Sequence, residues 1–146
     1  MTERTPHEVM HTYLHEVGAK GRLDLIDELA WPDMVDEANQ AFGGPPGRSG
    51  LVAHVTGFRR NVTDLEMTVV EIVAADDAVM AHWRFVGTHA GPWLGRPPTG
   101  RRISGDVFSF FTLRAGRISH YRLWLVASFP ELVVFDSSAG VTSEPH

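Results

Sequence analysis

Eight histidines and eighteen aspartates and glutamates, with no cysteine, leave this 146-residue chain side chains suited to proton transfer and none suited to thiol chemistry. No disulfide, thiolate metal site or cysteine nucleophile is available to it. His7, His11 and His15 recur every four residues and line one helical stripe. Two such histidines can bind a metal, but no acidic ligand motif accompanies them, and the stripe reads as a polar flank. His54 stands one residue before the apolar Val55 and reads as a partly exposed helix residue. Asp106 shares a strand row with Phe108 and Phe110, an odd place for an acid on a solvent face. Between Arg117 and Val126, alternation separates Tyr121, Leu123 and Leu125 from a mixed row of Ile118, His120, Arg122 and Trp124. Periodicity alone does not say which row meets solvent. Neither G-x-x-x-x-G-K-S/T, a strand-linked G-x-G-x-x-G, G-x-S-x-G nor H-E-x-x-H occurs, so nucleotide, serine-hydrolase and zinc-peptidase chemistry lose their usual signals.

The elements that must position these groups follow from composition and pattern. Apolar residues make 43% of the chain and charged residues 21%, the proportions of one ordinary globular domain. A net charge of −5 argues against nucleic acid or an anionic membrane as partner. Nothing approaches the roughly 18 continuous apolar residues of a membrane span, and the opening residues are no signal peptide. A cytoplasmic location is expected. Pro6–Leu29 reads as helix, capped by Thr5 and broken near Gly18 and Gly21. Met34–Ala41 reads as a short strand, and Ser49 to about Asn61 as a helix that buries Leu51, Val55 and Phe58. Then come strands at Leu65–Ala74, Val79–Thr88, Ile103–Leu113 and Arg117–Val126, with a glycine- and proline-rich loop at Gly91–Arg101. Helices followed by hairpin-linked strands predict an α+β fold, a helix-capped curved antiparallel sheet around a conical cavity. Residues 1–135 form the expected domain, and 136–146 a loose tail.

Gly87-Thr88-His89-Ala90-Gly91-Pro92-Trp93-Leu94-Gly95-Arg96-Pro97-Pro98-Thr99-Gly100-Arg101 resembles the G-T-H-x-G-x-x-L-G-x-P-P-T-G-(R/K) signature of the SnoaL-like polyketide cyclases. These belong to the nuclear-transport-factor-two-like superfamily. Trp31-Pro32-Asp33-Met34-Val35-Asp36, Gly50-Leu51-Val52-Ala53-His54-Val55 and Arg114-Ala115-Gly116-Arg117-Ile118 are similar to flanking segments of the same family. The resemblance implies the conical fold, and it places Arg122 in the cavity where family cyclases carry a catalytic aspartate. It also implies that Asp106 stands at a catalytic-histidine position and Asp36 at a cavity-lining one.

The expected site is therefore Asp36 and Asp106 around Arg122, with His120 as the histidine best placed for proton transfer. Two carboxylates in one apolar cavity cannot both ionise easily, so one becomes acid and the other base. The alternative is that Asp106 and Arg122 form only a structural ion pair. Tyr13, Trp83, Phe85, His89, Trp93, Leu94, Phe108 and Trp124 are the expected substrate-binding residues, around a flat hydrophobic small molecule. The expected function is a cofactor-independent cyclase, with no metal, that closes a ring in a polyketide or related natural product. An epoxide hydrolase, dehydratase or hydroxylase-type relative of the same fold, or a non-catalytic binding protein, are the alternatives. A homodimer is expected through the outward sheet row, taken as Tyr121, Leu123 and Leu125.

Overall fold

In the computed structural model, residues 3–143 are described. Helix α1 (Pro6–Thr12) opens with a capping box. The Thr5 hydroxyl accepts from the Glu8 amide at 3.1 Å, and the Glu8 carboxylate accepts from the Thr5 amide at 2.9 Å. The helix then widens into a π-helical turn, Tyr13–Gly18, which buries Tyr13, Leu14 and Val17. A 3₁₀ turn at Leu23–Leu25 leads into α2 (Ile26–Leu29) and strand β1 (Ala30–Asp36). The strand expected across 34–41 stops at Asp36 because that carboxylate caps the next helix, α3 (Glu37–Ala41), by accepting from the Asn39 amide. Helix α4 (Arg48–Asn61) follows, then β2 (Val62–Ala74), β3 (Ala78–His89), β4 (Arg102–Arg114), β5 (Arg117–Ser128), β6 (Leu132–Asp136) and β7 (Gly140–Ser143).

Strands β2 to β7 pair antiparallel in chain order, and β1 adds in parallel to β5. Residues 140–143, expected in a loose tail, instead form a hairpin with β6; residues 144–146 lie outside the described part. The helices cover the concave face, where Val9, Met10, Leu14, Leu51 and Val55 pack with the inward row of the sheet as one core. In β3 that row is Val79, Ala81, Trp83 and Phe85, as alternation predicts.

In β5 the simple alternation breaks. Leu113 faces Ile118, but the next residue back, Thr112, faces His120, so β5 carries one extra residue at Ser119. This bulge turns the parity over. Ile118 and Tyr121, three residues apart, are both buried inward, and Leu123 and Leu125 follow Tyr121. The expectation that Arg122 and Trp124 look into the cone while Tyr121, Leu123 and Leu125 look out is thereby reversed.

The inward row of β4 needs one residue without a side chain. A Cβ at Gly105 would stand 2.6 Å from the Phe85 ring and 3.1 Å from the Val126 carbonyl oxygen. Gly105→Ala is accordingly expected to cost about 1–3 kcal/mol through overpacking, read as a lowered thermal midpoint.

Candidate active site

Between the helices and the sheet lies a cavity of about 340 Å³, a size suited to a small organic ligand. Its walls are largely carbon. Trp83 and Phe85 come from β3, Phe58 from α4, and Trp93 and Leu94 from the loop before β4. That loop dips inward at a tight turn. Trp93 and Arg96 exchange backbone hydrogen bonds at 3.0 Å, and Leu94 and Gly95 both take positive φ. Arg96 anchors the turn from outside through a 2.7 Å ion pair with Glu131.

The polar groups of the cavity are few. Asp36, at the β1–α3 junction, spends one carboxylate oxygen on capping α3. Its other oxygen lies 2.7 Å from Nδ1 of His54 on α4. The Asp36 side chain is 1% exposed and His54 is 22% exposed, so the imidazole stands between the carboxylate and the cavity. An ionised carboxylate only accepts, so Nδ1 carries the proton, and Nε2 has no protein partner among the described residues. Burial works to lower the His54 pKa, but the charge and hydrogen bond of Asp36 outweigh it, and the net direction is upward from the ordinary value. Asn39 and Asn61 add amide groups to the wall, and the Asn39 side chain donates to the Pro45 carbonyl at 2.6 Å to hold the α3–α4 loop.

A second polar system lies along the sheet. The Trp83 indole N–H donates to Ser109 Oγ at 3.0 Å, and Ser109 Oγ lies 2.9 Å from the Tyr121 hydroxyl. Tyr13 meets Tyr121 edge-on, with ring centroids 5.8 Å apart, and the His54 ring stacks on Tyr121 at 5.6 Å.

Of the expected site residues, the structure brings Asp36, Tyr13, Trp83, Phe85, Trp93 and Leu94 to the cavity or directly behind it. Asp106, Arg122 and His120 lie on the opposite, outer face of the sheet, so the three-charge site around Arg122 is not assembled. Asp106 is held by His82 Nε2 at 2.7 Å and Arg84 Nε at 2.8 Å, and these bonds lower its pKa. It has no contact with Arg122, which lies over Trp124 and 3.8 Å from Glu37. His120 Nε2 lies 2.6 Å from the Glu37 carboxylate. Phe108 stacks on His82 on that same outer face. His89 is fully buried beside Phe129 and Thr99 and does not line the cavity.

Sequence reasoning missed His54, Tyr121 and Ser109. For His54 the signal was present: Leu51, His54, Val55 and Phe58 stand at i, i+3, i+4 and i+7, one helical stripe that faces the core. For Tyr121 the bulge concealed it. Among the described residues no group of three or more His, Asp or Glu side chains is placed to hold a metal ion.

The chain has recognisable relatives. A family model described as SnoaL-like polyketide cyclase matches residues 8–126. Nogalonic acid methyl ester cyclase of Streptomyces nogalater is 33% identical over 107 residues, 71% of this chain and 78% of that protein. Aklanonic acid methyl ester cyclase of Streptomyces galilaeus is 25% identical over 105 residues, 71% of this chain and 73% of that protein. Among solved structures, IdmH of Streptomyces antibioticus is similar with a TM-score of 0.65 and 28% identity, covering 86% of this chain and 93% of its own. A SnoaL-like polyketide cyclase of Agrobacterium tumefaciens, 18% identical with a TM-score of 0.69 over 87% of this chain and 94% of its own, shows the same fold.

The raised His54 pKa has a consequence for stability. A group whose pKa is higher in the folded than in the unfolded chain contributes fully below the unfolded value, about 6.5 for histidine. That contribution is lost as pH rises through the folded value. The stability difference between the wild type and His54→Gln is therefore expected to be largest below that pH and to shrink above it, measured by denaturant unfolding across the range.

Proposed function

As this chain belongs to the SnoaL-like polyketide cyclase family, we propose that it closes a ring in a polyketide intermediate by proton transfer at His54, without a cofactor. The Asp36–His54 pair, 2.7 Å apart and opening on an apolar cavity, is the observation that carries this reading. Neutral His54 presents Nε2 as a base and removes a proton from the carbon beside a substrate carbonyl. The imidazolium that forms is stabilised by Asp36, as the buried acid of a hydrolase triad stabilises its histidine. The carbanion attacks a second carbonyl of the same molecule, a carbon–carbon bond forms, and His54 returns the proton to the new alkoxide. Nothing is oxidised or reduced, and His54 ends as it began. A pKa raised above the ordinary histidine value by the Asp36 carboxylate makes the imidazole a stronger base for that proton.

The aromatic walls supply the other contribution, by folding a flexible chain so that its two reacting carbons meet. Trp83, Phe85 and Trp93 serve this binding role. Asp106, Arg122 and His120 have none in it.

Two copies of the chain pair, on this reading, through the outer face of the sheet, and the enzyme works in the cytoplasm. Register supports the pairing. Met80 lies beside Phe110, Phe108 beside Trp124, and Val126 beside Val134, so a diagonal apolar band steps across four strands between His82, Asp106 and Arg122. Met80, Val126 and Val134 are each 37% exposed, and such a band is costly to leave in water. Light scattering is expected to give the mass of a dimer, and Trp124→Glu that of a monomer. A monomeric wild type at high concentration would overturn the pairing.

The catalytic reading is tested with His54→Gln and Asp36→Asn on the methyl esters for which the two relatives are named. Each variant is expected to lose about 10²–10⁴ in kcat while ligand affinity is retained. Asp36→Asn is also expected to shift the acidic limb of the pH profile downward, since burial then acts on His54 unopposed. Turnover that survives both changes would leave the cavity as a folding template or a binding site alone.

A further inference from the structure

The hydrogen-bond inventory of the second polar system does not close. Trp83 N–H, Ser109 O–H and Tyr121 O–H bring three protons. They have two mutual links: Trp83 to Ser109 at 3.0 Å and Ser109 to Tyr121 at 2.9 Å. One proton has no acceptor within the group. An indole can only donate, which fixes the direction at one end. If Tyr121 donated to Ser109, the spare proton would sit on Ser109, a residue with no solvent exposure, at the full cost of an unmade buried hydrogen bond. The favourable arrangement has Ser109 donating to Tyr121. The Tyr121 oxygen then receives from Ser109, and its own proton is the one left over.

Tyr121 lines the cavity, and its ring lies against that of His54. Resting on the cyclase reading above, we propose that Tyr121 is a further catalytic residue. Its hydroxyl donates to the substrate carbonyl oxygen that turns into an enolate when His54 removes the neighbouring proton, and Ser109 and Trp83 act as positioning residues. In that step the carbon–hydrogen bond breaks toward His54 Nε2 and its electron pair moves to the carbonyl oxygen. The Tyr121 hydrogen bond strengthens as the charge arrives. The hydrogen bond accepted from Ser109 polarises the phenol O–H and makes it a better donor. The group remains protonated through the cycle, because burial pushes the Tyr121 hydroxyl far up its titration range. A donor preset where charge develops costs no reorganisation at the moment of reaction.

The test is Tyr121→Phe, which keeps the ring and removes the donor. In the cyclase assay kcat is expected to fall about a hundredfold, with KM nearly unchanged and the His54 limb of the pH profile unmoved. Ser109→Ala is expected to fall less, and Ser109→Thr to recover part of the loss. A second measurement needs no turnover. A naphthol, whose oxygen mimics the enol, is expected to bind Tyr121→Phe about tenfold more weakly than wild type, while naphthalene binds both alike. Tyr121→Phe with wild-type kcat and wild-type naphthol affinity would overturn the proposal, even with His54→Gln inactive. If His54→Gln is fully active, the cyclase mechanism fails, and the naphthol–naphthalene comparison still decides whether Tyr121 donates. Should Tyr121→Phe fail to fold, the same comparison in Ser109→Ala decides: unchanged naphthol preference overturns the proposal, and a reduced one supports it.

Discussion

One residue too many in β5 determines which chemistry the cavity holds. With the bulge at Ser119, Tyr121, Leu123 and Leu125 face the helices, and Arg122 and Trp124 face away. Without it, every side chain of that strand from His120 onward would exchange faces. A guanidinium would then enter the apolar cone and a phenol would leave it. The parallel pairing of β1 depends on the same stretch, since Asp36 stands opposite Tyr121. The bulge therefore fixes together the strand end that carries the buried acid and the strand row that carries the phenol.

The resulting separation of charge follows from solvation. Arg84, Asp106, His82, Glu37, His120 and Arg122 pair among themselves on the outer face, where water meets part of the cost of ionisation. Exposed pairs of this kind contribute about 0–1 kcal/mol each. Inside, among the described residues, a single carboxylate is buried, and both its oxygens are satisfied: one caps α3 and the other holds His54. A buried acid so used is expensive to break, because removing either partner leaves an uncompensated group behind. Asp36 thus fastens β1, α3 and α4 to one another, and the imidazole it orients is held at that junction.

Much of this was legible in the residues. Alternation in β3 placed Trp83 and Phe85 inward correctly, Thr5 was readable as a helix cap, and the signature loop with Trp93 and Leu94 was readable as a wall of the cavity. The resemblance to the cyclases singled out Asp36. Part of what was not legible lies in the bulge. A period-two reading carries its phase forward from one anchor residue, and an unrecognised bulge inverts everything beyond it. Here the resemblance set the phase at Arg122, so Trp124 and His120 were misplaced with it and Tyr121 was given the outer face. Asp106 was misplaced differently. Its row also holds Phe108 and Phe110, which reads as interior, yet those rings belong to an apolar band on the outer face. His54 was read from its place one residue before Val55 as a partly exposed helix residue, and so it is; its pairing with Asp36 joins two elements distant in the chain, which no local spacing shows.

The cavity presents to a substrate one imidazole, two amides and two phenols, and among the described residues no Lys, Arg, Asp or Glu side chain lines it. Even Asp36 is screened by His54. Such a lining favours a neutral, oxygenated molecule, because a ligand entering with its own charge would lose its hydration and meet no fixed counter-charge. It also constrains how charge can arise there. An enolate formed in this space has two groups to stabilise it, the imidazolium created by the same proton transfer and the hydroxyl of Tyr121. Both stand in fixed relation because the two rings stack. The arginines that could have neutralised an anion at rest are on the far side of the sheet, so stabilisation appears only once the proton has moved. An interaction that strengthens in the transition state, and is weak before it, is the kind that lowers the barrier rather than merely holding the substrate.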